Sequence, residues 1–522
     1  MKSCTVQQLC AAVGGTLLQD SSAVITAVST DSRSIPEGAL FVPLTGERFD
    51  GHDYLDAALS GGAAGCLTAK EPNVLREGKF YIRVEDTLAA LKALASWYRE
   101  QFDLPVVQVT GSAGKTPTKE MIAAVLSQRF PTLKTQANFN NAIGTPLTLL
   151  NLSAEHQAAV IETGMNHFGE IRYLGEIVRP TVAVITNVGD AHIENLGGTR
   201  QGILQAKCEI FENLQADGLA VLNGDDALLR ELTLPFETVL CGKDQRCAVH
   251  VTNVAEHGIE GVTCTVTTAR DIYDVAIPSP GAYMIYPAAM AIAIGEHLGM
   301  TKKEILSGIA AYRPVGSRMH LVRLSHERVI IDDCYNANPQ AMAEALHILA
   351  QTEHPRRMAV LGDMGELGDL TEKAHRDMGV LTRELGLDTV VAIGTKAQAI
   401  RDANPYALWF PTVQEALLGC DLVLLEANYD PRMLANGPYP AYVKQRIASE
   451  HGHLSNPDSG ALAAELIAAG TTRLILGHLS QENNTPALAE RTVTEALHSF
   501  RRNGDYLLEV APVETTGKMV VF

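Results

Sequence analysis

Cysteine is scarce in this 522-residue sequence: nine residues, spread from Cys4 to Cys420, with no CxxC pair. That spacing supplies neither a zinc ribbon nor a disulfide framework. Basic residues are also short, 42 Lys+Arg against 60 Asp+Glu, for a formal net charge of −18. So acidic a chain lacks the cationic surplus that non-specific nucleic-acid binding needs, leaving room only for a local basic pocket. The longest apolar stretch, Tyr283 to Ile294, is too short to span a bilayer and contains Pro287. The N-terminal MKSCTVQQLCAAVGG has no sustained apolar core of the signal-peptide kind. No low-complexity linker and no fixed-period repeat is visible. These absences predict a cytoplasmic enzyme with no nucleic-acid partner and no transmembrane segment.

Hydrophobic residues make up 46% of the chain and charged residues 20%, a globular balance that rules out wholesale disorder. The length predicts three or four domains at about 150 residues each. Residues 1–85 mix short strand-like runs (AVITAVST, GALFVPL, GCLTA) with polar turns and read as a small α/β domain. Helical periodicity begins at Glu85 in DTLAALKALASWYREQF. From 86 to 313, strands such as LPVVQVT, AAVIETG, TVAVITNVG and GLAVLNGD alternate with helical sequence, which predicts a mostly parallel sheet covered on both faces. A doubly wound unit follows over 314–419, with VIIDDCYNANP, AMAEALHILAQ, MAVLGDM and TVVAIG. Residues 420–522 form a fourth segment.

The strongest motif is Gly111-Ser112-Ala113-Gly114-Lys115-Thr116, between the strand LPVVQVT and the helical TKEMIAAVLSQRF. Glycines let backbone N–H groups curl around phosphate oxygens, and the helix adds the positive end of its dipole. Lys115 offers a point charge to the outer phosphates and Thr116 a hydroxyl to Mg²⁺. The competing reading is a glycine turn with a chance Lys-Thr, which the flanking strand and helix disfavour. The loop is shorter than GxxxxGK[ST] read from its first Gly, so common nucleoside triphosphatases fit less well. Pro117 falls in the helix's first turn, where its missing N–H costs little.

Other candidates are weaker alone. Glu162 ends the run AAVIE, where a strand's carboxyl end meets a crevice and a carboxylate suits a hard cation; a solvated Glu is an equal alternative. His192, in DAHIEN, follows another strand end and reads equally as a loop His. Lys207, in GILQAKCEIFENL, reads alone as a solvated surface charge. Asn138, Asn140, Asn141 and Asn187 suit positioning or turn shaping rather than proton chemistry.

An ordered set of motifs joins these residues: TDSR (30–33), DGHDYLDAA (50–58), GSAGKTPTKEM (111–121), NFNNAIGTPLTLL (138–150), ETGMNHFGEI (162–171), TNVGDAHIENLG (186–197), AKCEIF (206–211), SRMH (317–320), DDCYNANP (332–339) and LGDMGELG (361–368). With them the chain resembles the Mur ligase family of ATP-dependent amide-bond-forming enzymes over residues 1–418. The last two motifs resemble its D-alanyl-D-alanine-adding branch. The resemblance implies a small N-terminal UDP-substrate domain (1–85), a central P-loop ATPase domain (86–313) and a Rossmann-like C-terminal domain (314–419). It implies that ATP phosphorylates the terminal carboxylate of a UDP-N-acetylmuramoyl-tripeptide, and that D-alanyl-D-alanine attacks the acyl-phosphate, in a monomeric enzyme of peptidoglycan synthesis.

The resemblance also assigns residues. Glu162, His192 and a carbamylated Lys207 join Thr116 at the metal. Gly111 to Thr116, Asn187, Arg318, Asp333 and Asn336 hold the nucleotide, with Arg318 at the phosphates and Asp333 at the ribose. Tyr335 and Asn338 line the same crevice. Ser32, Arg33, Asp50, Gly51 and His52 take the UDP-sugar end, a capped turn being the rival reading for Ser32 and Asp50. Asn138, Asn140 and Asn141 position substrate, and Asp363, Glu366 and His375 lie near the incoming dipeptide.

Two departures stand out. In SPGAYMIYPAAMAIAIG, Tyr283 and Pro287 occupy places where the family carries His and a nucleotide-contacting Asn, so adenine recognition is expected to differ. After about 419 the chain resembles the end of a metallo-β-lactamase-fold hydrolase, through EANYDPRMLANGPYPAYVKQRIASEHGHLSN and LILGHLSQENNTP. That fold's HxHxDH motif is absent; His451-Gly452-His453 runs into Leu-Ser-Asn, and only His478 matches a late ligand position. The tail therefore reads as a partial hydrolase fold, with DLVLLE supplying the last strand of the ligase's third domain. Two further functional readings stay open: metal-dependent hydrolysis by the tail, and a nucleotide-binding but catalytically impaired fusion.

Overall fold

Every residue of the strands Val106–Thr110, Ala158–Glu162, Val182–Ile185 and Leu219–Asn223 is buried. Continuous burial rather than alternation is what a parallel sheet covered on both faces requires. In this computed structural model the described residues are 1–511, except 47–48, 73, 190–192, 317, 324–327, 366, 438, 440 and 450–451. They divide into two compact units: Met1–Arg357 with Met364–Ala374 and Glu384–Gly386, and Met358–Asp363 with His375–Arg383 and the chain from Leu387 onward.

The first unit is built on a nine-stranded sheet. From edge to edge the strands are Thr132–Lys134, Ala158–Glu162, Val106–Thr110, Val182–Ile185, Leu219–Asn223, Glu237–Gly242, Val249–Glu256, Val262–Thr267 and Ile272–Ile277. The first seven run parallel and the last two close the edge antiparallel. That antiparallel edge lies in a region whose sequence shows only alternation; Ile272–Ile277 buries every second residue, as a half-covered strand does. The chain leaves Val106–Thr110 toward one side of the sheet and returns past it to Val182–Ile185 on the other. The crevice at the carboxyl ends of these central strands is thus a topological switch point.

The apolar stretch Tyr283–Ile294 becomes the buried helix Ile285–His297. It packs against Lys115–Leu126 and shares the main core with Met121, Ile122 and Val125. A smaller sheet, Thr16–Gln19, Phe80–Arg83, Gly65–Thr68, Leu40–Phe41 and Val28–Ser29, forms the N-terminal part. Its core is continuous with the central sheet's: Leu9, Ile82 and Leu91 pack in one cluster with Val106, Ile161 and Ile177. Packing shows no break at residue 85. All nine cysteines are free thiols, and burial pushes Cys4 and Cys208 up to about 11.

The second unit holds two parallel sheets, Met358–Leu361 with Thr389–Ile393 and Leu408–Phe410, and Leu422–Glu426 with Arg473–Gly477 and Leu507–Val510. The expectation that DLVLLE completes the sheet of the third domain is corrected here. Leu422–Glu426 pairs in full register with Arg473–Gly477 instead. Val423, Leu425, Leu466, Leu474 and Val493 form a separate core behind that sheet. Strand partners are chosen by the apolar face a strand must bury, which segment order alone does not reveal. Among the described residues no helix is long and apolar enough to cross a membrane.

Candidate functional site

The strand Val106–Thr110 delivers the chain into the glycine turn. A Cβ at Gly111 would meet Thr186 Oγ1 at 1.8 Å, so only glycine lets the turn lie against the neighbouring strand end. Gly114, at φ +76°, takes the left-handed conformation glycine adopts freely and starts the helix Lys115–Leu126. Asn187 braces the turn: its Oδ1 accepts from Ala113 N at 2.8 Å and its carbonyl from Ser112 N at 3.1 Å. Thr186 Oγ1 donates to Ala113 O. Expected as a nucleotide ligand, Asn187 is here engaged in shaping the loop.

Lys115 Nζ rests on Gly111 O at 2.8 Å and Ser112 O at 3.4 Å. Burial lowers its ammonium's pKa, the Glu162 carboxylate opposes that shift, and Arg318 adds to it. The first-turn N–H groups of Lys115 and Thr116 have no acceptor inside their own helix. Ser112 Oγ is buried with no hydrogen-bond partner among the described residues. Free donors, an orphan hydroxyl and two cations in one concavity form an anion cradle.

Opposite the loop, Glu162 ends its strand with Oε2 accepting from Thr116 Oγ1 at 3.0 Å and Oε1 from Asn140 Nδ2 at 2.9 Å. Glu162 is 1% exposed, so it is not the solvated carboxylate of the rival reading. Thr116 and Glu162 present hard oxygens side by side, the donor type a Mg²⁺ ion takes. Below them Lys119, fully buried, pairs with Glu120 at 3.0 Å, lies 3.7 Å from Glu162 and donates to Thr135 O at 2.8 Å. Sequence reasoning missed Lys119 and Glu120. Their signal is two adjacent charges leading directly into the apolar run Met121–Leu126 of the same helix.

The site opens into a cavity of about 1000 Å³. Its wall includes Asn138, Asn140 and, from much later in the chain, Arg318, Asp333, Tyr335, Asn336 and Asn338. The Arg318 guanidinium stacks 4.2 Å from the Tyr335 ring centroid. Asp333 Oδ1 accepts from Met319 N at 2.9 Å, and burial raises its carboxyl pKa against the pull of that bond and of Arg318. Asn338 caps the helix Pro339–Ala350 through Ala341 N. Tyr283, Tyr286 and Pro287 line the same cavity. Tyr286 Oη donates to Asp225 Oδ2 at 2.9 Å, an acid–phenol pair not anticipated from sequence.

Lys207 is not the surface charge it resembles in isolation. It lies on Arg200–Cys208 at 3% exposure, with no hydrogen bond or ion pair among the described residues. Burial holds its amine well below the ordinary lysine range, and the nearby Lys115 cation adds to the shift. His192 and Glu366 lie outside the described residues.

The N-terminal candidates sit in tight turns. Asp31 binds the Arg33 guanidinium at 2.6 and 2.5 Å, with half-buried Ser32 between them. Asp50 caps the short helix Gly51–Tyr54 through His52 N, accepts from His52 Nδ1 at 2.6 Å and binds Lys70 Nζ. His52 Nε2 accepts from Ala69 N at 3.0 Å, which puts the ring proton on Nδ1. A Cβ at Gly51 would meet Leu44 N at 2.6 Å. Asn141 Oδ1 accepts from Gly144 N at 2.9 Å and starts a short helix. In the second unit, Asp363 accepts from Ala397 N at 2.8 Å and His375 is fully buried.

Three family descriptions match the chain: Mur ligase family, catalytic domain, over residues 24–99; Mur ligase middle domain, over 109–295; and Mur ligase, glutamate ligase domain, over 317–423. The UDP-N-acetylmuramoyl-tripeptide–D-alanyl-D-alanine ligase of Escherichia coli is 37% identical over 413 residues, 77% of this chain and 89% of that protein. The Synechocystis protein of the same name is 40% identical over 369 residues, 70% of this chain and 78% of its own. Among solved structures, MurF from Acinetobacter baumannii is 34% identical with a TM-score of 0.74, covering 80% of this chain and 91% of that one. MurF from Thermotoga maritima in complex with ADP is 28% identical with a TM-score of 0.67, covering 75% and 90%.

Proposed function

Because the chain belongs to the Mur ligase family, we propose that the cavity at the carboxyl ends of its central sheet is where a nucleotide triphosphate meets an acceptor carboxylate. The chain is an ATP-dependent ligase that joins D-alanyl-D-alanine to a UDP-N-acetylmuramoyl-tripeptide, a step of peptidoglycan precursor synthesis. The observation that carries the site assignment is the glycine turn with Lys115, facing Glu162 and Arg318 across one cavity.

A carboxylate is a poor electrophile, so its oxygen first takes the terminal phosphoryl of ATP and ADP leaves. The amine of D-alanyl-D-alanine then attacks the acyl carbon, and the C–O bond to phosphate breaks. Little covalent work falls to the protein; it positions groups and neutralises moving charge. The loop N–H groups and Lys115 hold the phosphates, Arg318 faces them from the opposite wall, and Asp333 and Asn336 meet the ribose side. Asn138, Asn140 and Asn141 orient the acceptor, and Ser32, Arg33 and the 50–52 turn serve the UDP-sugar end. Thr116, Glu162, His192 and Lys207 would hold Mg²⁺, and the ion would offset phosphoryl charge.

Carbamylation of Lys207 fits its surroundings. A buried amine kept neutral is the form that adds CO₂, giving a carbamate and releasing a proton. The product anion would face Lys115 favourably, where the ammonium is repelled. We assign domains by sequence to residues 1–85, 86–313, 314–419 and 420–522, the first two sharing one apolar core, read the enzyme as a monomer because one chain supplies the whole cavity, and place it in the cytoplasm with its nucleotide substrates.

The test is phosphate release with UDP-muramoyl-tripeptide, ATP and D-alanyl-D-alanine. Omitting any one substrate should silence it, and Lys115→Ala should lower it by ~10²–10³-fold or more. Full turnover in that variant would mean the phosphate site lies elsewhere.

A further inference from the structure

A second cluster of metal-type donors lies within the second unit and shares no residue with the cavity described above. Glu426, His453 and His478 come from three separated segments, and one ligand atom from each lies within 4.8 Å of the others. Glu426 ends the strand Leu422–Glu426, and His478 follows Arg473–Gly477, its parallel partner, with Glu426 opposite Gly477. Both side chains thus stand at the carboxyl ends of adjacent parallel strands, where open α/β sheets place ligands. His453 enters from the loop before the helix Asn456–Ala468.

The three side chains converge on one point. His453 Nδ1 lies 2.8 Å and His478 Nδ1 2.5 Å from the same oxygen, Glu426 Oε1. The imidazole rings meet edge to face with centroids 5.2 Å apart. The other carboxylate oxygen, Oε2, is held by Leu454 N at 3.0 Å, which fixes the plane of the group. Two N–H donors aimed at one oxygen is an arrangement a single cation replaces, taking both nitrogens and the oxygen once each imidazole carries its proton on Nε2 instead of Nδ1.

The surroundings hold the three donors in place. His478 sits at φ +53°, a conformation a non-glycine residue rarely keeps without cause. Asn428 Nδ2 donates to its carbonyl at 2.7 Å, and Asn428 itself takes Ser480 N and gives its own N–H to Leu454 O. Ser459 Oγ bonds the Glu426 carbonyl, and a reciprocal, buried Asn456–Asn484 amide pair ties the two loops together at 2.9 and 2.8 Å. Such outer partners orient metal ligands. The side chains are open on one side: Glu426 is 25%, His453 41% and His478 69% exposed. Among the described residues this is the one such group.

We propose that Glu426, His453 and His478 form a binding site for one divalent transition-metal ion of the zinc type, with a fourth position open to water. Two imidazoles and a carboxylate suit Zn²⁺ or Co²⁺ rather than Mg²⁺ or Ca²⁺, which prefer oxygen alone. Three protein ligands with one open position is the composition of a site that exchanges small ligands rather than a closed structural one.

The experiment uses untagged full-length protein with saturating Mg²⁺, which occupies the hard-oxygen site around Thr116 and Glu162. Co²⁺ is titrated while visible absorption is followed, and Zn²⁺ is titrated by calorimetry. The expected result is one equivalent of Co²⁺ with the intense bands of a four-coordinate ion, displaced by Zn²⁺, with affinity falling as pH drops. His453→Gln and His478→Gln should each remove the bands and weaken Zn²⁺ by more than ~100-fold. Asn428→Ala, acting through the His478 carbonyl, should weaken it by ~10–100-fold. Circular dichroism separates loss of ligand from loss of fold. A wild-type spectrum without four-coordinate bands is decisive before any variant is made. No four-coordinate bands, or bands unchanged in both His variants, would overturn the proposal and leave a hydrogen-bonded carboxylate–imidazole cluster.

Discussion

Lys207 shows how far a residue's surroundings can depart from its type. A buried amine with a lowered pKa and no partner among the described residues is a liability: below the ordinary lysine range the unfolded chain binds a proton that the folded site resists. Stability therefore rises with pH across the window between the folded and unfolded values, and the penalty is in force below it. Lys207→Met should remove that penalty, leaving the melting temperature at neutral pH unchanged or raised, while phosphate release falls by ~10²-fold or more. Scanning calorimetry and the substrate assay read the two effects separately; a variant that melts lower and still turns over would contradict the assignment. Asp50 has the opposite sign. Its bond from Lys70, followed by the His52 backbone N–H, holds its carboxyl well below the usual carboxylate range. That stabilisation is complete above the unfolded carboxylate pKa, about 4, and is lost as pH falls through the folded value. Asp50→Asn keeps a cap and should flatten the acid limb of the melting profile, while Asp50→Ala should cost about 1 kcal/mol more. If Asp50 serves the UDP-sugar end as well, KM for that substrate rises in both.

The glycine turn is where an element rather than a residue carries the chemistry. Gly111 admits no Cβ because Thr186 closes on it, and the same Thr186 hydroxyl holds the Ala113 carbonyl. Gly111→Ala should push the turn off the neighbouring strand end, costing about 1–3 kcal/mol and reducing nucleotide binding by more than ~10-fold. Adding Thr186→Ala removes the oxygen the methyl group meets and should restore part of the stability, a coupling that a double-mutant cycle measures. Full additivity of the two changes would show that the turn does not lean on that strand. The motif itself was legible in the sequence because strand, glycines, Lys-Thr and helix are consecutive. Its brace was not: Asn187 and Thr186 lie more than seventy residues further on and reach the turn only because Val182–Ile185 is the strand that pairs beside Val106–Thr110.

At the scale of the whole molecule the cavity joins the loop after residue 110 to a wall near residue 318. Arg318 stacks on Tyr335 and faces Lys115 across that space, so its loss should spare the fold and slow the chemistry. Arg318→Lys keeps a charge and loses the planar fork. Its expected outcome is a ~10–10³-fold lower kcat with an unchanged melting temperature, checked by steady-state kinetics beside calorimetry. A variant with normal kcat would remove Arg318 from the phosphate path. The tail changes the reading of the sequence most: DLVLLE reads as the closing strand of one sheet and instead belongs to another, with Arg473–Gly477 and Leu507–Val510.

Local order in the chain was enough to determine the parallel α/β class, the phosphate loop and the motif order that carries family membership, because each depends on residues within one strand–turn–helix step. Only the tertiary structure decided that Glu162 and Lys207 are buried, that Lys119 supports the site, and that Glu426, His453 and His478 meet. The physical reason is that burial and convergence depend on which elements pack together. Two donors fifty-two residues apart become neighbours only when their strands hydrogen-bond side by side.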